Sequence, residues 1–190
     1  NKDLQKPPED ALGQLNQVVF QNELGSFGDK ARRISALAGI IAKSLGTNEA
    51  EAARAGLLAK TDLVSLMVGE FPELQGIMGS YYAKAQGESS VIADSILGHY
   101  LPRFSGDELP SSMTACAVAI ADRIDTLVGL FGIGQPPTGS KDPFALRRQS
   151  LAVVRICIEA PIDLDLMALL RASARLHTAE CETAPVMAYI

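Results

Sequence analysis

Apolar residues recur at three- and four-residue steps along most of the chain, which is the spacing of amphipathic helices. The clearest case runs from Asp29 to Leu45, and Gly46 follows where a helix needs a left-handed stop. The same spacing predicts further helices over residues 48–70, 73–85, 90–100, 113–131, 143–158 and 164–176. The β-branched alternation of strands is missing, so the sequence predicts an all-α fold, a multi-helix bundle with most helices packed as antiparallel neighbours.

Several residues predict where these helices begin and end. Thr47 is a candidate cap for the second helix, and Pro72 closes or kinks that helix. Asp142 and Pro143 provide an N-cap followed by proline at the first helical position. The stretch 101–112, LPRFSGDELPSS, is predicted to be a loop because of its Pro, Gly and Ser content.

The composition is that of one globular domain that folds in a reducing compartment. The chain has 190 residues, 47% of them hydrophobic, and a formal net charge of −5 that disfavours indiscriminate coating of nucleic acid. Cys116, Cys157 and Cys181 form no CxxC pair, so neither a disulfide framework nor a zinc knuckle is indicated. No apolar run approaches the ~20 residues of a membrane span. We therefore expect a cytoplasmic protein with no membrane partner and, since the first residue is not Met, a fragment of something longer.

Residues 131–142, FGIGQPPTGSKD, have the GxxxxG spacing of a phosphate-binding loop. A P-loop follows a strand and places Lys directly after its second glycine, whereas here a helix precedes and Ser140 comes before Lys141. A carboxylate at Asp142 would also occupy the helix N-terminus that an anion would use. The loop is therefore interpreted as a rigid connection between two helices.

The residues that follow this loop are the most basic part of an acidic chain. Residues 131–155 contain one acid and a local charge of +3, and their basic residues are Lys141, Arg147, Arg148 and Arg155. Such a cluster is most often a solvated face with surface ion pairs. Contact with an RNA backbone is the more specific hypothesis.

Few residues indicate catalysis. His99 and His177 have no acidic neighbour in the chain and are interpreted as ordinary helix residues. Asp62 lies on an apolar stripe, and a buried acid is either paired or functional. For Asp62, and for Asp122 and Asp125 on the long helix, structural pairing with residues such as Lys60 or Arg123 is the favoured interpretation.

Four segments resemble the beta subunit of the bacterial-type glycyl-tRNA synthetase. They are LGSFGDKARRI (24–34), KTDLVSLMVGEFPELQGIMGSYYAKAQGE (60–88), HYLPRFSGDELPSS (99–112) and AVAIADRIDTLVGLFGIGQPPTGSKDPFALRRQSL (117–151). The resemblance covers roughly residues 24–165, and FPELQGIMG and GSKDPFALRR are its most specific parts. It implies an internal helical domain related to the HD phosphohydrolase fold over 24–165. Residues 1–23 would then be a partly helical N-terminal extension, and 166–190 a C-terminal helical extension of the same domain.

The resemblance also implies partners. In that family the alpha subunit holds the aminoacylation site, where ATP and magnesium are used, and the beta subunit supplies domains that recognise tRNA. The expected partners are therefore tRNA(Gly), the alpha subunit and the other domains of the beta subunit, with no cofactor in this domain itself.

An active HD domain presents His, then His-Asp, then Asp to its metal. Alignment on the resemblance places Lys30 at the first position and Ala59-Lys60 at the pair, or Thr61-Asp62 if the register slips by two. Of the aligned positions, only Asp122 keeps an acidic residue where the HD motif has its last metal ligand. This implies a degenerate site without metal, in which Lys30 and Lys60 neutralise Asp62 or Asp122.

The predicted function is a noncatalytic domain that positions tRNA for ATP-dependent glycylation by the alpha–beta assembly. Its expected RNA contacts are Lys141, Arg147, Arg148 and Arg155. The alternatives are an HD-type metal-dependent phosphohydrolase and a purely structural spacer.

Overall fold

The computed structural model of the chain describes residue 3 and residues 7–190. Helices dominate this part of the chain, so the all-α prediction is confirmed. The elements are α1 (Pro8–Leu15), β1 (Val19–Gln21), β2 (Gly25–Ser26), α2 (Phe27–Ser44), α3 (Glu49–Leu58), α4 (Leu66–Glu70), α5 (Ile77–Ala85), α6 (Ser90–Gly98), α7 (Met113–Gly132), α8 (Leu146–Glu159), α9 (Leu166–Ala174) and α10 (Thr183–Tyr189). Among the described helices, none combines the length and the hydropathy of a membrane span.

Helix α7 lies at the centre of the fold. Nearly all of its residues are buried, and α2, α3, α6, α8, α9 and α10 pack around it. Its run of alanines lets neighbouring backbones approach closely, and the Ser112 hydroxyl caps its N-terminus by accepting from the Ala115 N–H. A helix surrounded on all sides must pair every polar side chain it carries, which gives its two aspartates their importance.

Helix α2 is fixed at both ends by local sequence. Ser26 and Asp29 form a reciprocal capping box at its start, and Gly46 has a φ of 66° just after its end. The antiparallel pair β1–β2 delivers Ser26 to this position. The expectation of no strands is wrong here, because strands of three and two residues are too short to show an alternating pattern.

The prediction of one continuous helix over residues 48–70 is wrong. Asn48, and not Thr47, caps α3, and the helix then breaks into a 3₁₀ turn at Thr61–Val64 followed by the short α4. Two side chains satisfy three backbone groups at the break. The Thr61 hydroxyl donates to the Leu58 carbonyl, and the Ser65 hydroxyl donates to the Asp62 carbonyl and accepts from the Val68 N–H. Such local bonds compete with a continuous helix.

Helix α8 begins at Leu146, three residues later than predicted. Asp142 does cap it, since its carboxylate accepts from the Leu146 and Arg147 N–H groups. Pro143 lies outside the helix, however, because the chain turns through a left-handed Ala145 (φ 54°) before the first helical residue.

The segments predicted as extensions contact the same helices as the central residues. In the N-terminal segment, α1 packs on α2, and the Asp3 carboxylate accepts from the Leu66 N–H (3.1 Å) and the Tyr82 hydroxyl (3.0 Å). In the C-terminal segment, α9 and α10 pack on each other and on α7. The remaining residues of the predicted 1–23 extension, 1–2 and 4–6, lie outside the described residues. The boundaries themselves stay predictions.

Candidate functional site

Lys30 of α2, Lys60 after α3 and Asp122 of α7 meet in the interior. The Lys30 ammonium lies 2.9 Å from Asp122 Oδ1, and the Lys60 ammonium lies 2.7 Å from Asp122 Oδ2. Both lysines are almost fully buried. The prediction that these lysines neutralise Asp122 is confirmed, and each carboxylate oxygen holds a separate cation.

Asp125, one turn further along α7, extends the cluster. Lys30 also donates to Asp125 Oδ2 (3.0 Å) and to the Thr126 hydroxyl (2.7 Å). Arg33 donates to Asp125 Oδ1 at 2.7 Å, and His177 Nε2 lies 3.1 Å from the same oxygen. His177 thus contributes to the cluster, which sequence reasoning missed because this residue is 52 positions away from Asp125.

His99, also interpreted as an ordinary helix residue, is a fully buried member of the cluster. Its Nε2 lies 2.8 Å from the Lys60 ammonium and its Nδ1 lies 2.6 Å from the Ile96 carbonyl oxygen. An ammonium can only donate, so Nε2 accepts from Lys60 and Nδ1 carries the proton that Ile96 accepts. Burial, and next the Lys60 charge, lower the pKa of His99 well below its usual range. His99 is therefore a neutral acceptor.

The two aspartates of α7 are held ionised. Burial alone would raise the pKa of Asp122, but Lys30 and Lys60 outweigh it and hold the pKa well below its usual range. For Asp125, burial is likewise outweighed by Lys30, His177 and Arg33, and the pKa is lowered. The α7 cluster is thus a network of ion pairs and hydrogen bonds around two ionised carboxylates, and we define it as Lys30, Arg33, Lys60, His99, Asp122, Asp125, Thr126 and His177.

Asp62 forms no ion pair with Lys30 or Lys60 among the described residues, and its hydrogen-bond partners are different. Its Oδ2 accepts from the Gly76 N–H (2.6 Å) and the Gly79 N–H (3.1 Å) at the start of α5, and its Oδ1 has no hydrogen-bond partner among the described residues. Gly76 has a φ of 82°, and a Cβ at Gly79 would lie 3.1 Å from Asp62 Oδ2. Burial raises the pKa of Asp62.

Arg123 forms no ion-pair contact with an aspartate in the described part of the chain, so that part of the prediction is wrong. Its guanidinium donates to four backbone carbonyls, those of His99, Tyr100, Pro102 and Ala119. It therefore fixes the start of the 101–112 loop against α7.

A cleft of about 260 Å³ opens above Asp122. Phe20, Phe27, Tyr100 and Phe144 supply aromatic walls, and the Lys60 ammonium lies 4.2 Å from the centre of the Tyr100 ring. Among residues 3 and 7–190, no three His, Cys, Asp or Glu side chains gather as metal ligands. Of the positions aligned with the HD motif, Lys30, Lys60 and Asp122 meet at this cleft, whereas Asp62 lies elsewhere and Ala59 is a buried helix end.

The four predicted RNA-contact residues divide into two groups. Lys141, Arg147 and Arg148 are exposed, and Arg147 donates to the Gly139 carbonyl (2.8 Å). Arg155 instead binds Glu159 (2.7 Å) and the carbonyls of Phe104 and Asp107, so its guanidinium ties α8 to the 101–112 loop.

A family profile described as glycyl-tRNA synthetase beta subunit matches residues 1–190. The chain belongs to this family. It is similar to the glycine–tRNA ligase beta subunit of Coxiella burnetii (strain Dugway 5J108-111), with 53% identity over 180 residues, which are 95% of this chain and 26% of that protein. The corresponding subunit of Ectopseudomonas mendocina is 61% identical over 154 residues (81% and 22%), and that of Cronobacter sakazakii is 51% identical over 187 (98% and 27%).

The chain spans about a quarter of the length of these beta subunits. The two segments that resemble the glycyl-tRNA synthetase beta subunit most specifically both have structural roles here. FPELQGIMG contains the glycines that hold Asp62, and GSKDPFALRR contains the Asp142 cap of α8. The charged residues of the α7 cluster come from three other stretches of the chain, around positions 30–33, 60 and 122–125, so neither of these two motifs contains it.

Proposed function

We propose that this chain is a noncatalytic, HD-like helical domain of the glycyl-tRNA synthetase beta subunit that helps to position tRNA(Gly) for glycylation. The observation that carries the proposal is the pair of ammonium groups on Asp122, at 2.9 Å and 2.7 Å from its two oxygens. A carboxylate that binds a catalytic metal must offer at least one oxygen to it. Here lysines occupy both.

The donors around the Asp122 carboxylate also bind other groups of the cluster. Lys30 has four acceptors within reach, the side chains of Asp122, Asp125 and Thr126 and the Asp122 carbonyl. Lys60 holds Asp122 and His99 and rests on the Tyr100 ring. His99, buried and accepting from Lys60, has no free nitrogen for a metal. These contacts favour an ion-paired junction that joins α2, α3 and α7 in place of a metal-activated water.

Lys141, Arg147 and Arg148 are the proposed contacts with the tRNA backbone. They are exposed at the N-terminal end of α8, where three basic side chains outnumber the single carboxylate of Asp142. Arg155 was predicted as a fourth contact, but its bonds to Glu159 and to the 101–112 loop make it a positioning residue in this proposal. ATP and magnesium would be used by the alpha subunit, with no cofactor in this domain.

Charge reversal in the complete alpha–beta assembly tests the RNA contacts. We expect Lys141→Glu with Arg148→Glu to weaken tRNA(Gly) binding and to lower the slope of log affinity against log salt by about one per lost phosphate contact. Lys43→Glu with Arg171→Glu is the matched control, because both are exposed basic residues elsewhere with the same change in charge. Unchanged affinity and aminoacylation in the test variant would support a structural spacer.

A metal-dependent phosphohydrolase is the second candidate, and the observation in its favour is a retained acid beneath an open cleft of about 260 Å³. Metal analysis and a phosphodiesterase assay on the purified chain distinguish the two. Bound transition metal with turnover that Asp122→Asn abolishes would contradict the noncatalytic role.

A further inference from the structure

Helix α8 carries apolar side chains on its outer face as well as on its inner one. Leu146, Val153 and Ile156 are buried, whereas Leu151 is 65% exposed and Ile158 is 76% exposed. These two are among the most exposed large apolar residues in the described part of the chain. An amphipathic helix has one apolar face, so the second requires an explanation.

The outer apolar residues have the spacing of a helix-packing seam. Leu151, the half-buried Val154 and Ile158 follow one another at steps of three and four residues, which places them on one stripe of α8. We call these three residues the α8 stripe. Asp163, exposed just beyond its C-terminal end, adds a negative charge. The stripe therefore fits an amphipathic helix with a basic residue near Asp163, and its apolar centre does not suit RNA. Arg147, one turn before Leu151 on the same line of α8, lies at the opposite end, where the proposed tRNA contacts are.

The size of the stripe indicates how its partner is supplied. Three side chains fall well short of the roughly 1,600 Å² that a standard interface between separate proteins buries. A segment of the same polypeptide can dock on so small a surface, because tethering gives it an effective concentration of about millimolar. The related beta subunits are about four times as long as the segment they share with this chain, so such a tethered segment is available.

We propose that the α8 stripe docks an amphipathic helix from another part of the glycyl-tRNA synthetase beta subunit, outside these 190 residues. This inference rests on family membership and does not depend on the proposed tRNA contacts. The docked helix would cover Leu151 and Ile158, and Arg148 would remain at the border of the interface.

Photo-crosslinking in the full-length beta subunit that contains this sequence tests the proposal. In Ile158→p-benzoylphenylalanine we expect an intrachain cross-link, at the mass of one subunit, to a peptide outside the 190 residues. Leu66→p-benzoylphenylalanine is the matched control, because Leu66 is 64% exposed on a short helix distant in sequence. A cross-link from Ile158 to a second copy of the subunit, to tRNA, or within the 190 residues would overturn the proposal.

Hydroxyl-radical footprinting of the unmodified subunit is a second test, because it does not introduce the bulky benzoylphenylalanine side chain into the α8 stripe. We expect Leu151 and Ile158 to be oxidised several-fold more slowly than their exposure in this structure implies, relative to free leucine and isoleucine under the same dose. Oxidation at the rate of fully accessible side chains, together with no cross-link, also overturns the proposal.

Discussion

Asp62 and Asp122 are both acids in the interior of one helical domain, and they are held in opposite ways. Asp122 binds two lysine ammonium groups, which hold its pKa well below the usual range in spite of its burial. Asp62 accepts two backbone N–H bonds at the start of α5, and burial raises its pKa. Two lysines in ion-pair contact therefore outweigh desolvation at Asp122, whereas two backbone N–H bonds and the Lys60 charge, which forms no ion pair with Asp62, do not outweigh it at Asp62.

The two aspartates also differ in what they connect. Asp122 joins distant helices, because its lysines come from α2 and from the end of α3. Asp62 fixes a local turn, since Gly76 and Gly79 lie only 14 and 17 residues away from it. Removing Asp122 should affect the whole fold, and removing Asp62 should affect mainly the α3–α5 connection.

The largest expected effect is that of Asp122→Ala, which leaves the buried Lys60 without a carboxylate partner. We expect a loss of about 3 to 5 kcal/mol in the free energy of unfolding, measured by urea denaturation of this chain. The control is the double variant Lys60→Met with Asp122→Leu, which removes the charge and its partner together while Lys30 keeps Asp125. The double variant should be the more stable of the two, and a lower stability would contradict the ion-pair interpretation.

Asp62→Ala is expected to cost less, roughly 2 to 4 kcal/mol, because it leaves the Gly76 and Gly79 N–H groups without an acceptor. Asp62→Asn keeps a carbonyl oxygen for both donors and should cost less than half as much in the same denaturation experiment. Hydrogen exchange should locate the loss of Asp62→Ala in α4 and α5. Equal losses for Ala and Asn would mean that the negative charge of Asp62, and not its acceptor, is what the fold uses.

The pH dependence of stability should differ in sign between the two acids. The pKa of Asp62 is raised on folding, so its contribution is complete below the unfolded value near 3.9 and is lost as the pH rises through the folded value. The pKa of Asp122 is lowered, so its contribution is complete above about 3.9 and is lost as the pH falls through the folded value.

Urea denaturation of the wild type and of the two Asn variants between pH 4 and 7 tests this sign. The stability difference between wild type and Asp62→Asn should decrease with rising pH, by no more than about 1.4 kcal/mol per unit for one proton. The corresponding difference for Asp122→Asn should stay level. A rising difference for Asp62 would show that its carboxylate is stabilised by more than the two N–H groups.

The contrast also shows what the sequence could predict. The apolar periodicity around Ile34, Leu37 and Ile41 was sufficient to predict α2, because these residues are buried in the core at helical spacing. The break after α3 was missed, because it depends on the hydroxyl bonds of Thr61 and Ser65 and on Asp62 reaching glycines that follow it by 14 and 17 residues, none of which alters the apolar spacing. Helical spacing reports only on neighbours within a few residues.

The α7 cluster was partly predictable. Lys30, Lys60 and Asp122 were identified through their alignment with a known motif, and the structure brings them together. His99, His177 and Arg33 reach the cluster through tertiary packing, which leaves no spacing in the sequence. The sequence shows only that a charged or imidazole side chain lies on an apolar helix face. This pattern indicates a buried partner but does not identify which residue it is.

The smallest expected effect comes from Thr126→Val, which removes one of the four acceptors of Lys30 and leaves both of its carboxylates in place. We expect a loss of about 1 kcal/mol in urea denaturation, because the remaining acceptors can still satisfy three ammonium hydrogens. Thr114→Val on the same helix is the matched control, since Thr114 is also buried and its hydroxyl bonds the neutral hydroxyl of Thr47. If Thr126→Val costs as much as Asp122→Ala, the hydroxyl would be essential to the geometry of the cluster. The two carboxylates alone would then not explain how the Lys30 side chain is held in the interior.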